Sequence, residues 1–273
     1  LVRLKKLAGI EERYTLLEFI VGHHCRVDRP VFDRLAWVLN CASRAIITAE
    51  FATNMDIRVE LPGTILGAVE AENVRVEPTG PVLSQVLAKI AGRIQHAYTL
   101  DTLAVAEPTR AVRAMFRAWG IDPSKYRPSS EALMRRVVQS KGLYNVSNVV
   151  DLGNAGSIET GWPYGLYDRS KLASPISFRH GTTGEMYEGI GKRMWHLAGR
   201  PILADANGPF GSPISDSTRT MVTGSTRDVL AIIYAPESAA RVDIEFALSR
   251  LGERLIEFAA ARVVHSGSFA SNI

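Results

Sequence analysis

The apolar residues of this sequence change their spacing near Trp162, and this change restricts the fold more than any other feature. Before it, apolar residues recur at helical spacing, which predicts helices over residues 81–100, 108–119, 129–142 and 145–158. After it come glycines, prolines and short β-prone runs, such as 176–178 and 229–234, which predict strands. Residues 56–76 predict an earlier strand, and residues 237–264 return to helical spacing. This order of elements predicts an α+β domain.

The composition is that of a folded globular protein. The chain has 273 residues, with 46% hydrophobic and 22% charged residues, which argues against long disordered segments. No apolar run approaches the roughly 20 residues of a membrane-spanning helix. The two cysteines, Cys25 and Cys41, do not make a disulfide framework in a chain of this size. We therefore expect a cytoplasmic protein without a membrane partner.

Residues 1–54 stand apart from the rest of the chain, because they begin without methionine and carry none of the family motifs described below. We expect either that Met55 is the biological start and residues 1–54 are a translated upstream stretch, or that they are an accessory extension. The remainder is expected to form one domain over residues 55–264, followed by a tail over residues 265–273.

Several motifs of well-known chemistry are missing from the sequence. It has no P-loop, no dinucleotide fingerprint and no Gly-x-Ser-x-Gly elbow. Three histidines have no motif partner for a Ser-His-Asp triad, namely His180, His196 and His265. His23, His24 and Cys25 are adjacent rather than spaced to converge on one ion. We therefore expect neither a metal nor a cofactor.

Six motifs instead follow one another in the order that one known family has. They are the arginine-bearing helix 130–136, Asn148-Val149-Val150-Asp151 with Asn154, Thr160-Gly161-Trp162-Pro163, Gly184-Glu185, Ile202-Leu203-Ala204-Asp205 and Gly208-Pro209-Phe210-Gly211-Ser212-Pro213. With these motifs the chain resembles the tRNA-editing module, known as B3/B4, of the phenylalanyl-tRNA synthetase β subunit. It looks most like the free-standing, single-domain members. The resemblance is strongest over residues 111–236 and implies a β-sandwich-like core of unusual topology with flanking helices.

The resemblance also implies a function. The module in synthetases hydrolyses the ester between a wrong amino acid and tRNA, so this chain is expected to bind tRNA and hydrolyse mischarged aminoacyl-tRNA in trans. Two positions depart from the family pattern: Gly165 stands where a histidine faces the editing pocket, and no acid stands near Ile232. The tyrosine-editing specificity therefore does not carry over. The alternative is a non-catalytic module that binds an amino acid or another acyl compound.

The glycine-rich loop at 208–215 is the first candidate for the pocket wall. Backbone amides without side chains let a substrate approach closely and stabilise a developing oxyanion, although a tight structural turn would have the same sequence. The predicted substrate contacts are Gly208, Phe210, Gly211, Ser212, Ser215, Tyr164 and Asn148. Tyr167 is a further possible polar contact. A Gly211→Trp substitution is expected to block the pocket without unfolding the sheet.

Three charged residues are the predicted catalytic groups: Asp216, Arg219 and Glu185. Asp216 and Arg219 follow the loop at a spacing that lets one hold the other, and either could meet the ammonium or carbonyl of an aminoacyl group. A structural salt bridge is the alternative. Glu185 and Asp205 sit at strand ends, where carboxylates often tie down loops. Asn148, Asp151 and Asn154 share one helix face, and they either line the pocket or knit the helix to the sheet.

Any RNA-binding surface must be local, because a formal net charge of +4 is too small to make the whole chain a nucleic-acid binder. The candidates are Arg110, Arg113, Arg117, Arg127, Arg135 and Arg136. They could follow a tRNA backbone through phosphate contacts, or they could form an ordinary solvated helix face. No aromatic-interleaved RNA motif is present, so recognition would be by shape and charge. The sequence does not indicate an oligomeric state.

Overall fold

The computed structural model of the protein describes residues 56–271. The predictions for residues 1–54, including the adjacent His23, His24 and Cys25, and for a start at Met55 lie outside these residues. The helices of the described part are α1 (Pro81–Ala97), α2 (Leu100–Val105), α3 (Glu107–Ala118), α4 (Ser129–Val138), α5 (Asn148–Thr160) and α6 (Arg241–Ala259).

The strands of the same part are β1 (Ile57–Val59), β2 (Thr64–Glu72), β3 (Tyr164–Asp168), β4 (Ile176–His180), β5 (Met186–Glu188), β6 (Met194–His196), β7 (Pro201–Asp205), β8 (Gly208–Gly211), β9 (Val229–Pro236) and β10 (Arg262–Ala270). Short 3₁₀ turns lie at Arg169–Lys171 and Thr218–Thr220.

These strands build two four-stranded sheets and a hairpin. One sheet has the order β10-β2-β9-β3 and is antiparallel throughout. The other has the order β1-β4-β7-β8, with β1 parallel to β4. Strands β5 and β6 form the antiparallel hairpin. Strand β9 is one of the two inner strands of the first sheet, and all eight of its residues are buried, which explains its unbroken apolar sequence.

Aromatic side chains join the two sheets into one core. The rings of Phe178 on β4 and Tyr234 on β9 lie 5.4 Å apart, and Tyr167 on β3 meets Phe210 on β8 edge-on at 4.9 Å. An edge-to-face pair such as Tyr167 and Phe210 adds to the stabilisation from burial. The predicted α+β fold, with a sandwich-like core and flanking helices, is confirmed.

The element boundaries differ from the predictions where local backbone conformation ends an element early. Helix α4 ends at Val138 rather than near Gly142, and Ser140 has a left-handed φ of 60° that no α-helix can continue through. Helix α2 was not predicted. Residues 262–270 form β10 and pair with β2, so the predicted boundary at residue 264 falls inside a strand.

Candidate functional site

The turn that follows β8 is closed by its own hydrogen bonds. The Ser212 hydroxyl accepts the amides of Ile214 at 3.3 Å and Ser215 at 3.0 Å, and it lies 2.8 Å from the Ser215 carbonyl. The buried Tyr187 of β5 donates to the same carbonyl at 2.6 Å. The amides of Ile214 and Ser215 therefore already have acceptors. The expectation that such amides form an oxyanion wall must be revised for these two residues.

Asp216, on the same turn, carries the carboxyl group that is the candidate for acid–base chemistry. Asp216 is half-buried as a residue, and its carboxyl group accepts a hydrogen bond from the Tyr167 hydroxyl at 2.7 Å and another from the Ser212 amide at 3.2 Å. Both bonds end on Oδ1. Burial raises the pKa of Asp216 from 3.8 to about 7, against the opposing effect of these two bonds. The carboxyl group therefore changes protonation near neutral pH.

Tyr167 and Tyr234 form the base of this site. Both are fully buried, and their hydroxyl oxygens are 3.2 Å apart. A tyrosine hydroxyl has one hydrogen, and Tyr167 donates it to Asp216, so the hydrogen between the two phenols comes from Tyr234. Burial raises the pKa of both phenols well above the ordinary value, so both remain neutral donors at physiological pH. Sequence analysis missed Tyr234, although it shares a face of β9 with Ile232.

Gly165 and Gly211 have no side chains, and Tyr167 occupies the space that side chains there would need. A Cβ atom at Gly165 would overlap the Tyr167 hydroxyl and come within 2.6 Å of ring carbon Cζ. A Cβ atom at Gly211 would come within 2.7 Å of ring carbon Cε1. Gly165 pairs across the sheet with the buried Ile232. The two positions that depart from the family pattern are thus neighbours, and a phenol that holds Asp216 occupies the space beside them.

Replacing Gly211 by alanine is expected to lower the free energy of unfolding by about 1–3 kcal/mol, because the new Cβ atom would force the fully buried Tyr167 ring to shift. Urea unfolding measures the change. The control is Gly92→Ala on α1, where a Cβ atom meets nothing within 4 Å and a gain of about 0.5–1 kcal/mol is expected. Equal stability of the two variants would contradict the prediction. The same overlap means that Gly211→Trp would disturb the core as well as any pocket.

Arg219 does not pair with Asp216, so the predicted pairing of these two residues is wrong. The Arg219 guanidinium pairs with Asp205 on β7 at 2.9 Å and 3.3 Å, and it also donates to the Gly208 carbonyl at 3.1 Å. Asp205 accepts two further hydrogen bonds, from the amides of Ala173 and Asn207. This cluster fixes the loop to the sheet. Arg219 therefore takes part in a structural salt bridge, and Asp205 ties down the loop as expected.

Glu185 is also engaged by neighbouring residues. Its two carboxylate oxygens accept hydrogen bonds from Arg179 at 2.7 Å and 2.9 Å, and the Thr182 amide donates at 2.6 Å. The Arg179 guanidinium holds the pKa of Glu185 down at about 2. Such an acid stays ionised and is a poor proton carrier at neutral pH. These contacts are those of a strand-end tie, and the catalytic role of Glu185 stays a prediction.

Asn148 knits helix α5 to its surroundings. Its side-chain oxygen accepts the amides of Glu77 and Val149, each at 2.9 Å. Its side-chain nitrogen donates to the carbonyls of Arg75 at 2.8 Å and Phe258 at 2.9 Å. Both donor hydrogens are in use, so a substrate could bind Asn148 only by displacing one of these bonds. We therefore leave Asn148 out of the candidate site.

Asp151, on the same face of α5, accepts hydrogen bonds from the Thr79 hydroxyl at 2.5 Å and the Val146 amide at 3.0 Å. Burial raises its pKa. Two other predicted substrate contacts also lie in the packed body of the domain. The side chain of Phe210 is fully buried, and Tyr164 packs beside Gly156 of α5, where burial raises the pKa of its phenol.

The predicted RNA-binding arginines surround a buried acid. Glu131, in the first turn of α4, is 2% exposed and accepts two hydrogen bonds from Arg113, at 2.7 Å and 2.8 Å. Arg127 and Arg135 lie 3.6 Å and 3.9 Å from the same carboxylate. Three cations thus meet one anion, which leaves a local excess of positive charge. Arg113 is part of a structural ion pair, while Arg127 and Arg135 remain half-buried or exposed.

The other three arginines of that set have separate environments. Arg110 pairs with Glu107 one helical turn earlier on α3, and Arg117 is exposed. The Arg136 guanidinium lies 4.1 Å from the centre of the Tyr144 ring. None of these contacts tests the prediction that this surface binds RNA.

Over residues 56–271, no three or more His, Cys, Asp or Glu side chains are grouped so that they could hold a metal ion. None of the helices described is both long enough and apolar enough to cross a membrane.

Comparison with known proteins assigns the class. Residues 111–266 match the sequence model of the B3/4 domain family. Because the match covers more than half of the 273 residues, this chain belongs to the B3/4 domain family. The resemblance stated from the motifs is confirmed, and the match continues past Pro236.

Several curated relatives are β subunits of phenylalanine-tRNA ligase. The chain is 30% identical to that of Thermobifida fusca over 129 residues, which are 46% of this chain and 15% of the relative. Identity is 28% over 145 residues for Streptomyces avermitilis, covering 50% and 17%. It is 26% over 124 residues for Neisseria meningitidis serogroup B, covering 42% and 15%. The chain thus spans only 15–17% of the length of these relatives.

A solved structure is also similar. It is an N-terminal fragment of the phenylalanyl-tRNA synthetase β subunit from Pyrococcus horikoshii, at 15% identity and a TM-score of 0.42, covering 80% of this chain and 55% of that one. These values are too low for the two sites to be compared residue by residue.

Proposed function

We propose that this chain is an editing-type domain that binds tRNA and hydrolyses mischarged aminoacyl-tRNA in trans. The supporting observation is the Asp216 carboxyl group on the turn after β8. Its pKa is raised to about 7, and the hydrogen bonds that its carboxyl group accepts from within residues 56–271 leave Oδ2 unused. A base is most effective when its pKa lies near the working pH. Family membership supports a tRNA-related domain, and Asp216 supports the hydrolytic step.

In the proposed reaction, Oδ2 of ionised Asp216 accepts a proton from a water molecule. The water oxygen forms a bond to the ester carbonyl carbon, and the bond between that carbon and the ribose oxygen breaks. The ribose oxygen takes up the proton, which releases a free amino acid and tRNA with an intact hydroxyl group. The hydrogen bond from Tyr167 holds the carboxylate in place while this happens. Activated esters need only this positioning and modest charge stabilisation.

A second function is favoured by the occupied donors of the turn. The amides of Ile214 and Ser215 bond to Ser212, and Arg219 bonds to Asp205. These donors would stabilise an oxyanion only after breaking their present bonds. An ionised Asp216 would still attract the ammonium group of an amino acid. The second proposal is therefore a non-catalytic module that binds a free amino acid or a related acyl compound.

The experiment that separates the two functions uses a panel of misacylated tRNAs. We expect at least one tRNA to lose its ester faster in the presence of the protein than it does spontaneously. Correctly charged tRNA of the same sequence is the control. If no tRNA is deacylated, hydrolysis fails as the function. A rise in melting temperature with a free amino acid, in the absence of RNA, would then support the binding module.

On the sequence grounds given above, we also propose a cytoplasmic location. The partners proposed for this site are tRNA and a small aminoacyl or acyl group.

A further inference from the structure

Five side chains from distant parts of the sequence form a row in which cations and aromatic rings alternate. We call this row the cation–aromatic ladder, and its members in order are Lys125, Tyr126, Arg200, Trp195 and Arg193. The Arg200 guanidinium lies 4.3 Å from the centre of the Tyr126 ring and 5.3 Å from that of Trp195. Arg193 lies 4.7 Å from Trp195, and Lys125 lies 5.4 Å from Tyr126. The fold thus interleaves aromatic and basic residues where the linear sequence does not.

The cations of the ladder have unused charge and hydrogen-bonding capacity. Arg200 donates from Nη2 to the Tyr126 hydroxyl at 3.0 Å, but its buried Nη1 has no hydrogen-bond partner in the described part of the chain. A buried donor without an acceptor is costly. Within residues 56–271, none of Lys125, Arg193 and Arg200 lies within ion-pair distance of a carboxylate. Lys125 and Arg193 are exposed. The row therefore carries positive charge that an anionic ligand could neutralise at the exposed Lys125 and Arg193.

The ladder adjoins the turn that carries Asp216. Trp195 on β6 is the cross-strand partner of Tyr187 on β5, and Tyr187 donates to the Ser215 carbonyl at 2.6 Å. Gly189 lies between the two features. A Cβ atom there would come within 2.6 Å of the Trp195 indole nitrogen and 3.2 Å of the Ser215 hydroxyl. A chain lying along the ladder would thus end close to the candidate site.

We infer that the ladder binds the unpaired, single-stranded end of a polynucleotide. Aromatic rings and guanidinium planes stack on exposed bases, while the cations contact phosphates. A duplex keeps its bases stacked inside the helix, so it cannot use the ring surfaces in this way. The placement of such an end beside Asp216 rests on the proposed function. The binding itself does not.

Binding is tested with a labelled single-stranded RNA of about ten nucleotides, its duplex form and an acidic peptide, by fluorescence anisotropy at two salt concentrations. Arg193→Ala is expected to weaken single-strand binding about three- to tenfold and to reduce the salt dependence by about one phosphate contact. The matched control is Arg241→Ala, which removes the same charge from an exposed position on α6 and should leave affinity unchanged. Trp195→Leu keeps the apolar packing and is expected to weaken binding about tenfold, through lost stacking.

Asp216→Asn separates this inference from the proposed hydrolysis, because it should bind the single strand as the unaltered protein does. Equal effects of Arg193→Ala and Arg241→Ala would overturn the inference. Binding of the duplex or of the acidic peptide as tightly as the single strand would overturn it as well. If the inference were overturned in this way but hydrolysis still depended on Asp216, the proposed function would be retained and only the role of the ladder would be rejected.

Discussion

Replacing Asp216 by asparagine is expected to slow deacylation by about 100-fold or more at alkaline pH, the usual loss when a general base is removed. The amide keeps an oxygen that can accept the hydrogen bonds of Tyr167 and Ser212, but it cannot take a proton from water. In the unaltered protein, the rate should rise with pH through about 7, where Asp216 ionises. Single-turnover rates on one misacylated tRNA across that range are the measurement. A variant that keeps both its activity and the same pH profile would exclude Asp216 as the base.

The stability of the same variant distinguishes lost chemistry from lost folding. The folded-state pKa of Asp216 is raised above 3.8 to about 7, so its protonation contributes stability that is fully present below about pH 4. That contribution is lost as the pH rises through about 7. Asparagine carries no charge to bury. The free energy of unfolding of the variant, relative to that of the unaltered protein, should therefore rise by up to about 4 kcal/mol from acid to alkaline pH. Urea unfolding at both ends of the range measures this. An unchanged difference between the two proteins would mean that the pKa is not raised.

Replacing Glu131 by glutamine is expected to lower the free energy of unfolding by about 2–4 kcal/mol, because it leaves Arg113 without its buried counter-charge. The Arg113 side chain is 22% exposed, which places the cost below that of a fully buried pair. Arg127 and Arg135 would then repel Arg113 without a central anion. Circular dichroism during urea unfolding is the measurement.

The control for this change is Glu107→Gln, which breaks the exposed pair with Arg110 on α3. Exposed pairs contribute about 0–1 kcal/mol, so the control should change stability little. A second substitution, Arg113→Leu, should restore part of the loss in Glu131→Gln, because it removes the unpaired cation. Equal losses for Glu131→Gln and its control would show that the buried carboxylate does not hold the three arginines together.

The helices and the central strand could be predicted because their apolar residues repeat with a clear period. The stripe of Val112, Met115 and Phe116 faces the core as expected, and all three are buried. Strand β10 lacks such a signal. It lies at the edge of its sheet and alternates exposed and half-buried residues over most of its length, with few apolar side chains to reveal the period. The strands β5 and β6 have three residues each, too few for any period to appear.

The candidate site was predicted in part. Asp216 could be chosen because it follows the glycine-rich loop, but its partner could not. Arg219 is three positions from Asp216, yet β7 and β8 pair so that Asp205 faces Gly208 and reaches the guanidinium instead. Tyr167 and Tyr234 are 67 positions apart, and only the pairing of β3 with β9 brings their hydroxyl groups together. Sequence distance carries no information about such contacts.

The pairing of β2 with β10 has a consequence for how the domain forms. Glu72 and Arg262 are partners across 190 positions, so this sheet cannot be completed while the chain between them is still being made. Bringing two strands together across so many residues costs chain entropy before any contact between them forms. This cost slows folding. Until β10 is made, the edge of β2 that it will cover is unpaired, and an unpaired strand edge can pair with other chains.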